Sequence, residues 1–411
     1  MAKPVAGVDV GTTKVCTVIG EIGHGGHLRI LGVGVAPSQG LKKGIVVNID
    51  QAVESISSSV EKCQKISGFR IDQANVSIAN QNISSQNSRG VIGLANSGHD
   101  ISQGDIDRAL DAARTVAVPS NRDVIHVLPR GYVVDGQEGV KNPIGMAGSR
   151  LEVETHVVIG SGGTIQNLVK CVERAGVRPL ELVLEPLASA EAVLTESERD
   201  SGVMLVDIGG GTTDVAVFLD GGAWHTAVLP VGGGHITNDI AIGLRAPYEL
   251  AEELKIKYGR ATSNGVLADE PIRIATDGGP QTYLRAELCD IIEARSEEIL
   301  LMVRDELKQA GYDNRLPAGV VLTGGTAQLP GLVELAARIF EMPVRVGIPT
   351  EIEGLVDTIS GPAFATSVGL VRWSLSNIHG GESMSMYEDH RPQATGEISS
   401  RFKGWLRAFL P

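Results

Sequence analysis

The sequence predicts an α/β protein. It should have two duplicated α/β domains facing each other across a cleft, an inserted small α+β subdomain, and a C-terminal amphipathic helix on a flexible linker. Three observations carry that reading. The stretch "VDVGTTKVCTVI" near the N-terminus returns about half a chain later as "VDIGGGTTDVAVF", and self-similarity of this kind marks a duplicated unit. In both halves, hydrophobic runs of strand length alternate with segments of helical spacing. Near the C-terminus the periodicity disappears, then returns in the closing "RFKGWLRAFLP".

Taken in order, "VAGVDVGTTKVCTVIGEI" reads as two strands around a Gly-Thr-Thr turn, and "HLRILGVGVA" as a third strand. A helix begins at Asp50, its expected N-cap, because positions 52, 53, 56, 60 and 63 are apolar. "ANVSIA" returns to strand, completing 1–83 as the first part of domain 1. Residues 84–154 carry their own pattern and form the inserted subdomain: the strand "SRGVIGLAN", a helix from Ser102 through Val116, and strands around "DVIHVLPRGYVVDG". Domain 1 resumes at 155–200 with the strand "ETHVVIGS" and the helix "TIQNLVKCVERAG", closed by Gly176. The second domain core occupies 201–240 and 311–375 around a small subdomain at 241–310, with helices at 234–244, 247–258 and 285–310. Gly, Ser, Pro, Glu and His without periodicity make 376–398 a linker, and 399–411 the terminal helix.

Composition narrows the function. At 411 residues, with 42% hydrophobic and 21% charged, the chain is globular and too long for one simple core. A net charge of −13 excludes a nucleic-acid partner, which needs a concentrated basic surface. Cys16, Cys63, Cys171 and Cys289 stand singly, as buried thiols do in a reducing compartment. There is no signal-peptide pattern after Met1 and no run of 18 apolar residues, so the expectation is a cytoplasmic protein.

The glycine turns carry the chemistry. Glycine lets backbone N–H groups approach phosphate oxygens, and threonine hydroxyls add short hydrogen bonds. Asp9 and Asp207 end matched strands on either side of the cleft, where carboxylates suit Mg²⁺. Lys14 is placed to neutralise phosphate charge, and "VVLTGGTAQLPGL" supplies a third glycine turn.

These segments resemble the five motifs of the actin superfamily. "VDVGTTK" is similar to its first phosphate motif, "VDIGGGTTD" to its second, "LVLEPLASAEAVL" to its first connecting helix, "VVLTGGTAQLPGL" to its adenosine motif, and "GPAFATSVGL" to its second connecting helix. The resemblance spans residues 5 to 375 and implies an actin-like fold closing on ATP and Mg²⁺. It implies that Gly11, Thr12, Thr13 and Lys14 hold phosphates from one side, and Gly209, Gly210, Gly211, Thr212 and Thr213 from the other. Gly324, Gly325 and Thr326 would line the adenosine, and Gly233 and Gly234 would bring a helix N-terminus to the nucleotide. Glu252 and Lys255 stand either as ribose and adenine contacts or as an i,i+3 surface pair. Glu185 stands either as the residue that orients a hydrolytic water or as a first-turn acid before Pro186. The implied activity is ATP binding with slow hydrolysis at most.

No peptide-binding domain follows residue 375, which excludes a heat-shock chaperone, and no sugar-kinase insertion is evident. The inserted segment, with "SRGVIGL", "RDVIHVLPRGYVVDG" and "NPIGMAGSRLEVETHVV", resembles the FtsA family of bacterial cell-division proteins almost end to end. That resemblance implies actin-like self-polymerisation, contact with other division proteins through the inserted subdomain, and anchoring of the FtsZ ring to the inner face of the cell membrane at the division site. The FtsZ C-terminal tail would dock on the small subdomain, with Arg295 as a candidate contact. A PilM-like pilus-assembly protein and an MreB-like soluble filament remain as alternatives.

Numbered as a helix, Phe402, Trp405, Leu406, Phe409 and Leu410 form one apolar stripe flanked by Arg401, Lys403 and Arg407. A helix this short is marginal in water and needs a surface to fold against. Self-docking is one option. A uniformly basic polar face on an acidic protein, after a linker reaching roughly 25–30 Å, favours an anionic membrane interface.

Overall fold

Runs of Val and Ile build the first sheet. Val5–Val10 pairs antiparallel with Lys14–Ile22, which pairs antiparallel with Leu28–Pro37, and Val5–Val10 pairs parallel with Gln73–Ile78. Arg178–Leu184 closes one edge and Ile352–Gly354 the other. The second sheet repeats the plan. Val203–Ile208 pairs antiparallel with Thr213–Leu219 and parallel with Val320–Thr323, while Gly222–Leu229 and Val344–Val346 lie at the edges. The computed structural model describes residues 4–23, 27–94, 99–115, 121–276 and 279–379. The terminal stripe of Phe402, Lys403, Trp405, Leu406, Arg407, Phe409 and Leu410 lies outside the described residues.

The central strands are buried on both faces, as strands covered by helices must be. Val8, Val18, Leu205, Val206 and Val217 are sealed from solvent, each such side chain contributing about 1.5–3 kcal/mol on burial. Helix Ile49–Ser67 lies on the first sheet, so close that a Cβ on Gly34 would sit 2.0 Å from the Ser59 carbonyl oxygen. Its cap differs from the sequence expectation. Asn48 is the N-cap and its side chain accepts from Gln51 N, while Asp50 sits in the first turn, where a negative charge favours the helix dipole.

The inserted unit is a four-stranded antiparallel sheet, ordered Gln137–Val140, Arg122–Val134, Arg150–Ser161, Ser84–Gly93, with helix Gln103–Thr115 packed on it. Strand Arg150–Ser161 runs through residue 154, the expected boundary, and leads into helix Gly162–Arg174, so sheet and domain share one continuous strand. This unit also touches the second domain. Arg130 lies 3.6 Å from the Trp224 ring centre, His156 Nε2 is 2.9 Å from Thr226 Oγ1, and Ser85 Oγ donates to Thr226 O at 2.8 Å. It reaches the first domain too, where His126 Nε2 accepts from Leu184 N at 3.1 Å.

Helices Gly233–Gly243, Tyr248–Tyr258 and Arg285–Gln309 and the hairpin Pro271–Leu284 form a separate small core around Ile236, Ile240, Leu254, Leu288 and Ile292. The last described helix, Ala365–His379, crosses the short helix Glu185–Val193. It extends past Ser376, the expected start of the linker, because the polar residues Ser376, Asn377 and His379 continue the helix without a Gly or Pro until Gly380.

Candidate functional site

The two domains meet at a cleft with a cavity of about 680 Å³. Both glycine turns enter it from opposite sides and touch. A Cβ on Gly210 would lie 2.2 Å from Thr13 Cγ2, and one on Gly211 would lie 2.6 Å from Thr12 Oγ1. The close approach explains the glycines at 210 and 211.

Every residue expected at the nucleotide lines this cavity except Thr213. Thr213 begins a strand, and alternation turns its side chain away from that of Thr212, so its Oγ1 donates to Val231 O at 2.8 Å instead. Gly233 and Gly234 open a helix beside the cleft, but their amides are already bonded to Gly209 O (2.9 Å) and Gly210 O (2.8 Å). They brace the second turn, within which Gly209 N donates to Thr212 O at 3.0 Å. Glu252 and Lys255 make the expected i,i+3 pair and also line the cavity. The ion pair is 2.7 Å long, and Lys255 Nζ donates to Gly233 O at 3.2 Å. Lys14 Nζ donates to the Ala363 carbonyl and lies 3.7 Å from the Phe364 ring centre. Arg295 is not in the cleft. It is paired with Asp239 and with Glu298.

The two connecting helices hold the cleft's carboxylates. Asp9 accepts from Ser77 Oγ (3.0 Å) and Ser367 Oγ (3.1 Å), while Asp207 accepts from Ser189 Oγ (2.6 Å) and Thr366 Oγ1 (3.3 Å). Adjacent residues of one helix therefore reach the two halves of the molecule. None of these four hydroxyl residues stands out in the sequence. Their signal is a polar residue inside an otherwise small-residue helix or buried strand.

Sequence reasoning also passes over Asp214. In the second sheet it pairs in register with Asp207, and the equivalent partner of Asp9 in the first sheet is Cys16. The duplicated halves thus differ at one matched position, a carboxylate against a thiol. Asp214 Oδ2 accepts from Thr212 Oγ1 at 2.9 Å, and its Oδ1 is buried with no hydrogen-bond partner. Burial, then the charges of Asp214, Asp9 and Asp207, push the Glu185 carboxyl well above the carboxylate range. Burial and the Asp207 charge do the same to Asp214. Burial raises Asp9, and it pushes Asp207 up to about 6. Cys16 is pushed up to about 11, again by burial, so the thiol is neutral.

Three carboxyls lining one cavity, Asp9, Glu185 and Asp207, with Asp214 buried behind them, fit a divalent cation accompanying a polyphosphate. Among the described residues no three His, Cys, Asp or Glu side chains converge on one point. An ion here would keep water ligands, as Mg²⁺ characteristically does.

Comparison with known proteins places these features in a family. The model described as "Cell division protein FtsA" matches residues 204–369, and "SHS2 domain inserted in FTSA" matches residues 80–159. The chain is 44% identical over 411 residues to the cell division protein FtsA of Pseudomonas aeruginosa, covering 98% of each chain. It is 36% identical over 414 residues to that of Escherichia coli K12, again covering 98% of each. Among solved structures, a PilM–PilN type IV pilus biogenesis complex aligns with TM-score 0.66 at 17% identity, covering 89% of this chain and 97% of that one. Spiroplasma citri MreB5 bound to AMPPNP aligns with TM-score 0.55 at 14% identity, covering 93% and 100%. These distant structures establish an actin-like fold, and the second family match adds an inserted SHS2 domain. The near full-length relatives establish more, and the chain belongs to the FtsA family of cell-division proteins.

Proposed function

We propose that the protein binds ATP with Mg²⁺ in this cleft, polymerises, and tethers the FtsZ ring to the inner face of the cell membrane through its C-terminal amphipathic helix. The observation that carries the nucleotide part is two opposed Gly–Thr turns meeting beside three carboxyls, Asp9, Glu185 and Asp207, that line one cleft. Phosphates would lie between Gly11–Lys14 and Gly209–Thr212. Asp9 and Asp207, fixed by hydroxyls of the connecting helices, would hold Mg²⁺ through water. The ion, when bound, supplies charge neutralisation along the phosphates. The chain's own part in hydrolysis is to hold a water. Glu185, which lines the cavity at the head of its helix, would orient that water. Burial and the neighbouring carboxyls hold it above its ordinary value, so that when ionised it is a stronger proton acceptor than an exposed glutamate. This chemistry suits a slow switch.

Polymerisation multiplies terminal helices along a filament and turns weak single-helix binding into avidity. We place the FtsZ-tail contact on the small subdomain. There Arg295 would have to exchange Asp239 or Glu298 for the incoming acidic tail. Other division proteins would bind the inserted SHS2 domain.

The test is co-sedimentation with liposomes containing anionic lipid, comparing the full chain with one stopped at Ile398, each with and without ATP–Mg²⁺. The full chain should pellet and do so more strongly with ATP, while the truncation stays in solution. If both stay in the supernatant throughout, the membrane reading fails and a pilus-type or soluble-filament role takes its place.

A further inference from the structure

Between the first sheet and helix Ile49–Ser67 the chain makes a small hairpin. Leu41 pairs with Val46 and Lys42 with Ile45, leaving Lys43–Gly44 as the turn. Both turn residues have left-handed backbone, φ +50° and φ +71°. Such a two-residue turn calls for Asn, Asp or Gly at its first position. Lysine here goes against backbone preference, and backbone outliers collect at functional positions.

The tip is pressed into the cleft. Gly44 lines the cavity, and a Cβ there would lie 1.7 Å from the Ala79 carbonyl oxygen. Its amide donates to Thr12 Oγ1 of the first phosphate turn at 3.2 Å, and Ser38 N, at the hairpin's base, donates to Thr13 O of the same turn at 3.1 Å. The hairpin is therefore tied at two points to the turn that would hold phosphate.

Lys43 is half-buried, and among the described residues no ion pair or side-chain hydrogen bond engages it. The other lysines at the cleft are occupied. Lys14 is held by Ala363 O and the Phe364 ring, and Lys255 by Glu252. The charge of Lys43 reaches across to His235, in the first turn of helix Gly233–Gly243. There it adds to burial in lowering that imidazole's proton affinity. Lys43 thus stands at the tip of a domain 1 hairpin whose next residue, Gly44, lines the cavity beside the first phosphate turn.

We propose that Lys43 is a specificity residue that reads the terminal phosphate of a nucleoside triphosphate, so that the Leu41–Val46 hairpin distinguishes triphosphate from diphosphate. The inference rests on the nucleotide reading above. A compact ammonium is suited to a phosphate oxygen. In a cleft crowded with carboxyls, the added charge of a third phosphate needs a cation that a diphosphate does not.

The test is calorimetric binding of ATP and of ADP, both with Mg²⁺, to the full chain and to Lys43→Met, Lys43→Asn and Lys42→Met. Asn suits the left-handed turn, so Lys43→Asn keeps the hairpin while removing the charge. Both Lys43 variants should lose roughly tenfold in ATP affinity while ADP affinity stays within about twofold, and Lys42→Met should change neither. Equal losses for both nucleotides, or no loss for either, would overturn the inference while leaving the nucleotide reading intact. If the unmodified chain binds neither nucleotide, reading and inference fall together.

Discussion

Gly369 is where the two connecting helices come closest, and Gly369→Ala is the sharpest test of how the site is held. A Cβ at Gly369 would lie 1.7 Å from Ala188 O and 2.4 Å from Ala188 C. Ordinary contact begins at 3.4 Å, so the helices must part by the difference, 3.4 − 1.7 = 1.7 Å, at this point. Thr366 and Ser367 lie within one turn of Gly369, and Ser189 follows Ala188 directly. Their bonds to Asp207 and Asp9 span 2.6 to 3.3 Å, and a hydrogen bond does not survive a stretch of that size. Overpacking costs about 1–3 kcal/mol, and each buried polar group left unpaired costs about 1–3 kcal/mol more. Against this, Ala gains about 1 kcal/mol over Gly in helix propensity. With one group left unpaired the loss wins by about 1–5 kcal/mol. Thermal unfolding of the full chain should show a midpoint several degrees lower, and a fluorescent ATP analogue should bind more weakly. Gly163→Ala is the control. It lies in helix Gly162–Arg174, and a Cβ there would have nothing within 4 Å, so it should leave the midpoint unchanged or raise it slightly. If Gly369→Ala melts within about 1 °C of the parent, the helices are not held at this contact and the reasoning is refuted.

Two further outcomes follow from the inserted sheet. A double-mutant cycle on Arg130→Ala and Trp224→Leu should give a coupling of about 1–2 kcal/mol, as a desolvated cation–π pair does; additive effects would show that the stack carries nothing. Burial drives His126 down to about 4 and His156 to about 3, from 6.5. As pH falls below 6.5 the unfolded chain takes up their protons first, so this contribution erodes stability progressively toward pH 4 and is absent above 6.5. The raised carboxyls of the cleft act in the opposite direction, so the reading must be differential. Between pH 6.5 and about 5, the melting midpoint of His156→Gln should fall less per pH unit than that of the parent, and parallel slopes would contradict the assignment.

What could be read from the sequence divides on physical lines. The turns at Gly11 and Gly209 are legible because glycine and threonine recur at a fixed offset from an aspartate, and the duplication shows the pattern twice. Thr213 was misplaced because Thr-Thr reads as one motif, whereas a strand sends successive side chains to opposite faces. Asp214 was missed because one acid at the head of "DVAVFL" looks like an ordinary strand start, and only the register against Asp207 shows that it is buried beside a cleft carboxylate. Ser189, Thr366 and Ser367 looked like small-residue filler, their role being set by a helix crossing that local sequence does not encode. Asn48 and Asp50 are both cap formers two positions apart, and composition does not choose between them. The hairpin at Leu41–Val46 is too short for periodicity to register.

The contact between the inserted sheet and Gly222–Leu229 has a consequence for solubility. That strand is the edge of the second sheet and pairs on one side only. An open edge offers unpaired backbone groups to any neighbouring chain, and proteins commonly guard such edges. Here Arg130 and His156 of the inserted sheet stand against it, while the opposite edge, Val344–Val346, is only three residues long. Excising the inserted sheet through its last strand, residues 84–161, would therefore not yield a minimal two-domain core. It would leave Trp224 and a bare strand edge facing solvent, and the shortened chain would associate along that edge in place of the partner it lost.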